Sequence, residues 1–272
     1  MKKLISISLV FILVSLFLAG CKKDKGNPPA LPPAESMTID FSNFDTQKKS
    51  IELIPGQKGT ENSNFQFAAT VAVIWKLIIN TTLVIPVASF KLAIDQTPVY
   101  LSKNYWQWSY NVTVAGTTYK ARLTGQAGAS DVIWKMYITK DETPGFPGFT
   151  DFLWFEGTSK PDGTSGQWTL YESSASPNAI LKIDWTKTGA SIGKIKYTYV
   201  KSNTFNTSAI EYGLTTATLN AYYTIHYFNG VKFSDLNVEW NTKTNNGRVK
   251  SSDYLDGTWF CWDSNRINTI CQ

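Results

Sequence analysis

From residue 100 onward, apolar and polar residues alternate along the chain. In Trp106-Gln107-Trp108-Ser109-Tyr110-Asn111-Val112-Thr113-Val114 the aromatics and valines share one face, and amides and hydroxyls the other. A period of two is the signature of a half-buried strand. Gly116 then marks a turn, and Tyr119, Ala121 and Leu123 alternate with Lys120, Arg122 and Thr124. Further runs fall at 131–139, 151–156, 166–172, 179–186, 192–200, 217–228 and 231–240, with short ones at 247–252 and 257–262. Turn signals separate them: Pro161-Asp162-Gly163, Gly189, Asn229-Gly230, Asn245-Asn246-Gly247 and Asp256-Gly257. Asn229-Gly230 between two alternating runs is the strongest of these, because Asn-Gly suits the tight turn of a hairpin. Runs joined by short turns predict an antiparallel meander.

Residues 66–90 break this rhythm. Seventeen of these 25 residues are apolar and Lys76 is the only charge. A helix apolar on all sides is buried in protein or lipid. The pattern predicts a helix over 64–84, capped by Asn62 or Ser63, with a shorter helical piece after Pro86 to Ile94. The alternative is a membrane span, but Asn80-Thr81-Thr82 and Pro86 leave each unbroken apolar part too short to cross.

About ten strands and one apolar helix must share a core. A single sheet of that length curls, and curling around the helix buries both apolar surfaces. The expected fold is mainly β, an antiparallel meander forming an open half-barrel around one apolar α-helix. A closed lipocalin-like barrel is the alternative. The element order resembles the half-barrel of envelope lipoproteins of the LolA/LolB type, as do Val238-Glu239-Trp240, Gly247-Arg248-Val249-Lys250 and Trp259-Phe260-Cys261-Trp262.

The N-terminus changes the picture of where the chain resides. Met1-Lys2-Lys3 precedes 17 uncharged residues, Leu4 to Gly20, and then Cys21. A basic start and an apolar stretch make a signal-peptide layout. Leu18-Ala19-Gly20-Cys21 resembles the lipobox of Gram-negative lipoproteins. The resemblance implies cleavage before Cys21 and acyl chains on it, so that the partner is a membrane. Lys22, where an Asp would imply retention in the inner membrane, favours the outer membrane. Lys22-Lys23-Asp24-Lys25 lacks the acidic run of surface export and favours the periplasmic face. The expected organisation is a leader over 1–20, a lipid-anchored tether over 21–37 with four prolines, and one β-rich domain over 38–272.

Composition adds limits. Charged residues are 17% and aromatics 14%, which excludes a disordered chain. Without Lys2 and Lys3 there are 24 basic and 21 acidic residues, too even a balance to argue for nucleic acid. Cys261 and Cys271 form an even pair in an exported chain, and a disulfide is expected. No metal site or cofactor motif is present: no phosphate loop, dinucleotide fingerprint or calcium loop. His226 is the only imidazole, and no Gly-x-Ser-x-Gly accompanies it. Among carboxylates, Asp141, Glu142, Glu156, Glu172, Asp184, Glu211, Asp235 and Glu239 fall mostly at strand ends or outward positions, so no catalytic residue is assigned. Ten tryptophans remain. Trp75, Trp106, Trp108, Trp134, Trp154, Trp168 and Trp185, with Ile78, are candidates to line an apolar pocket between helix and sheet. Packed core is the plainer reading of the same residues. The function expected is a non-catalytic outer-membrane lipoprotein binding an apolar or amphiphilic, lipid-like ligand. The alternatives are a glycan-binding surface lipoprotein and a hydrolase.

Overall fold

The computed structural model describes residues 26–44 and 61–271. The leader and Cys21 lie outside the described residues. Among the described residues one α-helix, α1 (Ser63–Ala93), precedes fourteen strands. They are β1 (Val99–Ser102), β2 (Tyr105–Val114), β3 (Thr117–Ala127), β4 (Val132–Lys140), β5 (Phe149–Ser159), β6 (Ser165–Tyr171) and β7 (Ala179–Thr188). The series continues with β8 (Ser191–Tyr199), β9 (Ala209–Leu214), β10 (Ala221–Phe228), β11 (Phe233–Trp240), β12 (Gly247–Ser251), β13 (Phe260–Trp262) and β14 (Asn268–Thr269). Each strand pairs antiparallel with its neighbour in sequence, so the order in the sheet is the order in the chain. The sheet does not close on itself: β1 and β14 are its edges. This is the open meander, not the lipocalin-like barrel.

Helix α1 lies along the opening. It packs against β2 and β3 at one end of the sheet and against β12, β13 and β14 at the other. The curl brings the two ends to one helix, which bridges the seam between them. A short 3₁₀ turn, Ala34–Met37, adds a second cover over β7 and β8 and also touches α1. Pro32, Ser36, Met37, Phe41 and Phe44 are buried. Packing therefore begins inside the stretch expected to be tether.

A repeated size alternation fills the inner face. Across β2 to β6 the register aligns Trp106, Gly125, Trp134, Gly157 and Trp168 in one row. Trp240, Gly247 and Trp262 form a second such row across β11, β12 and β13. Each glycine leaves room for the indole beside it. A Cβ on Gly125 would come within 2.6 Å of the Trp134 ring, and one on Gly247 within 2.4 Å of Trp262. Glycine inside a strand marks close approach and bending, and covering it with an aromatic restores the lost contact. The tryptophans thus occupy the concave side of a sheet that their glycine partners allow to curl.

Two expectations about α1 are corrected. The helix is continuous through Pro86, where two pieces were expected. Proline removes one N–H and clashes with the preceding turn, but Pro86 is itself buried, and packing on the sheet outweighs that local cost. The expected local cap is also replaced. Asn62 precedes the helix without a side-chain cap. Instead, the Asn64 N–H donates to Oδ1 of Asn268 at 3.0 Å, and the Asn268 amide donates to the Ser63 hydroxyl at 3.0 Å. The tail caps the helix from 204 residues away.

Candidate functional site

The expected pocket residues divide into three groups. Trp106, Trp108, Trp134, Trp168 and Trp185 are buried on the concave face, and Trp75 is buried beneath α1. The ring centroids of Trp108 and Trp134 are 5.8 Å apart. Phe90 of α1 meets Trp168 edge-on at 5.3 Å. Phe90 carries α1 onto this aromatic layer, whereas β7, which bears Trp185, is covered by the turn Ala34–Met37. Trp154 is half-buried and packs against the rim of the core in a cluster with Tyr119, Phe149 and Phe152. The bulge between Met136 and Tyr137 shifts the register opposite it. Ile78 is not in the interior. It is 38% exposed, whereas Ile79 is 4% exposed and faces the core.

Hydrogen bonds separate the buried aromatics further. The Trp134 indole donates to the Ser159 hydroxyl at 2.9 Å, Trp168 to Ser36 at 3.1 Å and Trp262 to the Asn245 carbonyl at 2.8 Å. The Tyr110 hydroxyl donates to the Ser89 carbonyl at 2.5 Å, tying β2 to α1, and Tyr223 donates to the Asp40 carbonyl. Three inward-facing side chains differ. Nε1 of Trp185, Nε1 of Trp240 and the hydroxyl of Tyr197 are buried without any hydrogen-bond partner, as is the Ser89 hydroxyl of α1. The first three come from β7, β11 and β8. Such groups are rare because desolvation without a partner costs about 1–3 kcal/mol each. Burial pushes the Tyr197 phenol well above its ordinary pKa. Burial and the nearby Asp40 charge push Tyr212 to about 12. The three unpartnered groups of the sheet are neutral hydrogen-bonding groups in an apolar setting, spread over β7, β8 and β11 rather than gathered at one point. Their chemistry suits an uncharged or amphiphilic acceptor better than a cation.

The tail bears on the same helix. Cys261 and Cys271 are joined by a disulfide with a Cα separation of 5.2 Å, as expected. The loop they close contains Asn268. Buried Asn64 also donates to the Cys261 carbonyl at 2.8 Å and accepts from the Tyr254 hydroxyl at 2.7 Å. The disulfide thus holds the start of α1 against β13. Sequence reading missed this link because a cap is sought beside the helix it serves.

Outside the sheet the chemistry is polar. A depression of about 520 Å³ on the outer face is lined by residues including Asp131, Lys160, Gln167, Asp184, Lys196 and Glu211. The candidate carboxylates are largely engaged in ion pairs. Lys135 approaches Glu156 at 3.5 Å, Lys194 approaches Glu211 at 3.6 Å, and Arg248 approaches Glu239 at 2.6 Å. Tyr222 also donates to Glu211 at 2.8 Å. Lys196 stands between Asp184 and Glu211 in the strand register. Nδ1 of His226 lies 2.7 Å from Asp235, and its ring stacks on Phe233. No group of three metal-ligating side chains occurs among the described residues. Stacking on a sugar would need tryptophans exposed together on an outer strand. Eight are buried and the other two, Trp154 and Trp259, are half-buried, with Arg248 over Trp259.

No protein-family model, curated protein or solved structure matches the chain.

Proposed function

We propose that the mature chain is a non-catalytic lipoprotein of the outer membrane, held by acyl chains on Cys21, that takes up an apolar or amphiphilic ligand between α1 and the sheet. The anchor reading is supported by the basic, apolar leader ending in Leu18-Ala19-Gly20-Cys21. The observation that carries the ligand reading is the set of buried, unpartnered atoms on Trp185, Tyr197 and Trp240. A ligand with an ester, hydroxyl or headgroup oxygen would give these donors an acceptor, while its hydrocarbon met the surrounding rings. Helix α1 lies across the seam of the open sheet. It is the element whose displacement would admit such a molecule.

Native mass spectrometry tests this on a soluble form beginning after Cys21, purified from its own host. A bound species of lipid-like mass, released by organic solvent, is the expected result. A protein that flies at its bare polypeptide mass and takes up no fatty acid or lysophospholipid on addition would overturn the ligand reading.

A further inference from the structure

The helix that bridges the seam has a second apolar face, turned away from the protein. Ile74, Leu77, Ile78, Val84 and Leu92 are exposed along it, Leu77 to 65%, and Ile85 is half-buried among them. They recur at helical spacing and form one stripe, interrupted by exposed Thr81, whose hydroxyl turns back to donate to the Leu77 carbonyl. The helix is long and apolar enough to cross a membrane, yet only 28% of its most apolar 18-residue window is buried. Its inner residues Phe65, Trp75, Ile79, Leu83 and Phe90 belong to the domain core. The helix is therefore fixed lengthwise on the domain with one apolar side out. Exposed apolar area of this extent on a soluble surface marks an interaction site.

We infer that this outward stripe of α1 rests on the surface of the bilayer that holds the Cys21 acyl chains. The inference rests on the lipoprotein reading above and specifies how the domain sits on its membrane. Chain length argues for the bilayer over other occupants. Pro32 is already buried in the domain, and the eleven residues from Cys21 span roughly 40 Å at most when fully extended. The tether ends beside the helix itself, because the turn Ala34–Met37 packs on α1 and Ser36 accepts from Trp168, which Phe90 touches. A short leash thus delivers the membrane anchor next to the apolar helix α1. Charge agrees with this placement. Helix α1 contains no Asp or Glu and has Lys91 exposed near its end. An in-plane helix with an apolar face and cations beside it suits a lipid interface.

The test uses the mature, acylated protein reconstituted in vesicles of phosphatidylethanolamine and phosphatidylglycerol. A fluorophore is attached through Leu77→Cys on the stripe or, as reference, through Lys182→Cys on the outer face of β7, in the middle of the sheet. Both positions are exposed, so neither label disturbs the core. With nitroxide-bearing lipids in the vesicles, the Leu77→Cys label should lose most of its emission, and the Lys182→Cys label should keep its own. Equal emission at both positions in protein that carries acyl mass and floats with the vesicles would overturn the docking while leaving the anchor intact. A Leu77→Cys label shielded from both lipid and aqueous quenchers as protein concentration rises would place a second copy on the stripe and also overturn it. Protein without acyl mass at Cys21 would sink the lipoprotein reading by itself. The docking, which is on the bilayer that holds those chains, would fall with it.

Discussion

The indole of Trp168 covers Gly157 on the neighbouring strand so closely that a Cβ there would lie 2.5 Å from its ring. The same Cβ would lie 2.0 Å from the Gln167 carbonyl, which is backbone and cannot swing aside. Gly157→Val should therefore destabilise the domain by about 3 kcal/mol, at the upper end of overpacking costs. Denaturant unfolding followed by tryptophan emission measures this. Gly116→Ala is the comparison: no atom would meet its Cβ, although its φ of 79° leaves some strain in the turn. A Gly157→Val protein as stable as the wild type would mean that the alternating Trp–Gly row does not shape the sheet.

The contrast between Ile78 and Ile79 tests the orientation of α1. Ile79→Asp should cost several kcal/mol, because an unpaired buried charge has no compensation. Ile78→Asp, on the exposed stripe, should change stability by less than about 1 kcal/mol in the soluble form. Equal losses would show that the helix is buried on both faces.

Asn268 and the disulfide make a prediction about the helix start. Asn268→Ala removes the cap on Asn64 and should cost about 1 kcal/mol. Cys271→Ser opens the loop that contains Asn268 and should cost about 2–3 kcal/mol. Because both act on one contact, the double variant should lose less than the sum. Full additivity in a double-mutant cycle would separate the tail from the helix.

The strands were legible because the chain alternates wherever one face of the sheet is buried. Strands β10 and β11 form the expected hairpin, but through the four residues 229–232 rather than a two-residue Asn-Gly turn, with Gly230 at a φ of 97°. Strand β9 gives no clear alternation in sequence, because apolar Ala209 and Ile210 are adjacent and Gly213 interrupts its pattern. The run expected over 217–228 starts as strand only at Ala221. The helix was legible from its composition, but its orientation was not. A segment apolar all round gives no signal for which side meets the core, so Ile78 was expected inside. The aromatic layer could be anticipated. Its pairing with Gly125, Gly157 and Gly247 depends on cross-strand register, which appears only once each turn is placed. The unpartnered atoms of Trp185, Tyr197 and Trp240 have no counterpart in sequence at all, since the same residue types elsewhere in the layer are satisfied.

One surface pair predicts a pH effect. Lys201 donates to Glu172 at 2.6 Å. That bond, helped by the Ser176 hydroxyl, holds the Glu172 carboxyl below the ordinary range, and Glu172 in turn raises Lys201. A lowered carboxyl pKa adds stability above the ordinary Glu value, and this is lost as pH falls through the lowered value. For the raised lysine, the contribution is present below the ordinary Lys value and lost as pH rises through the raised one. Carboxyl NMR titration should show Glu172 moving up toward its ordinary value in Lys201→Met. An unmoved titration would assign the shift to another cause.

The most direct measurement of ligand uptake watches the indole N–H groups themselves. In ¹⁵N-labelled soluble protein, Trp134, Trp168 and Trp262 already donate to Ser159, Ser36 and Asn245, whereas Trp185 and Trp240 have no acceptor. Titration with a lysophospholipid should shift the Trp185 and Trp240 indole protons downfield, as new hydrogen bonds form, and move the other three far less. Binding that leaves Trp185 and Trp240 unmoved, or no binding at all, would contradict a ligand site between α1 and the sheet.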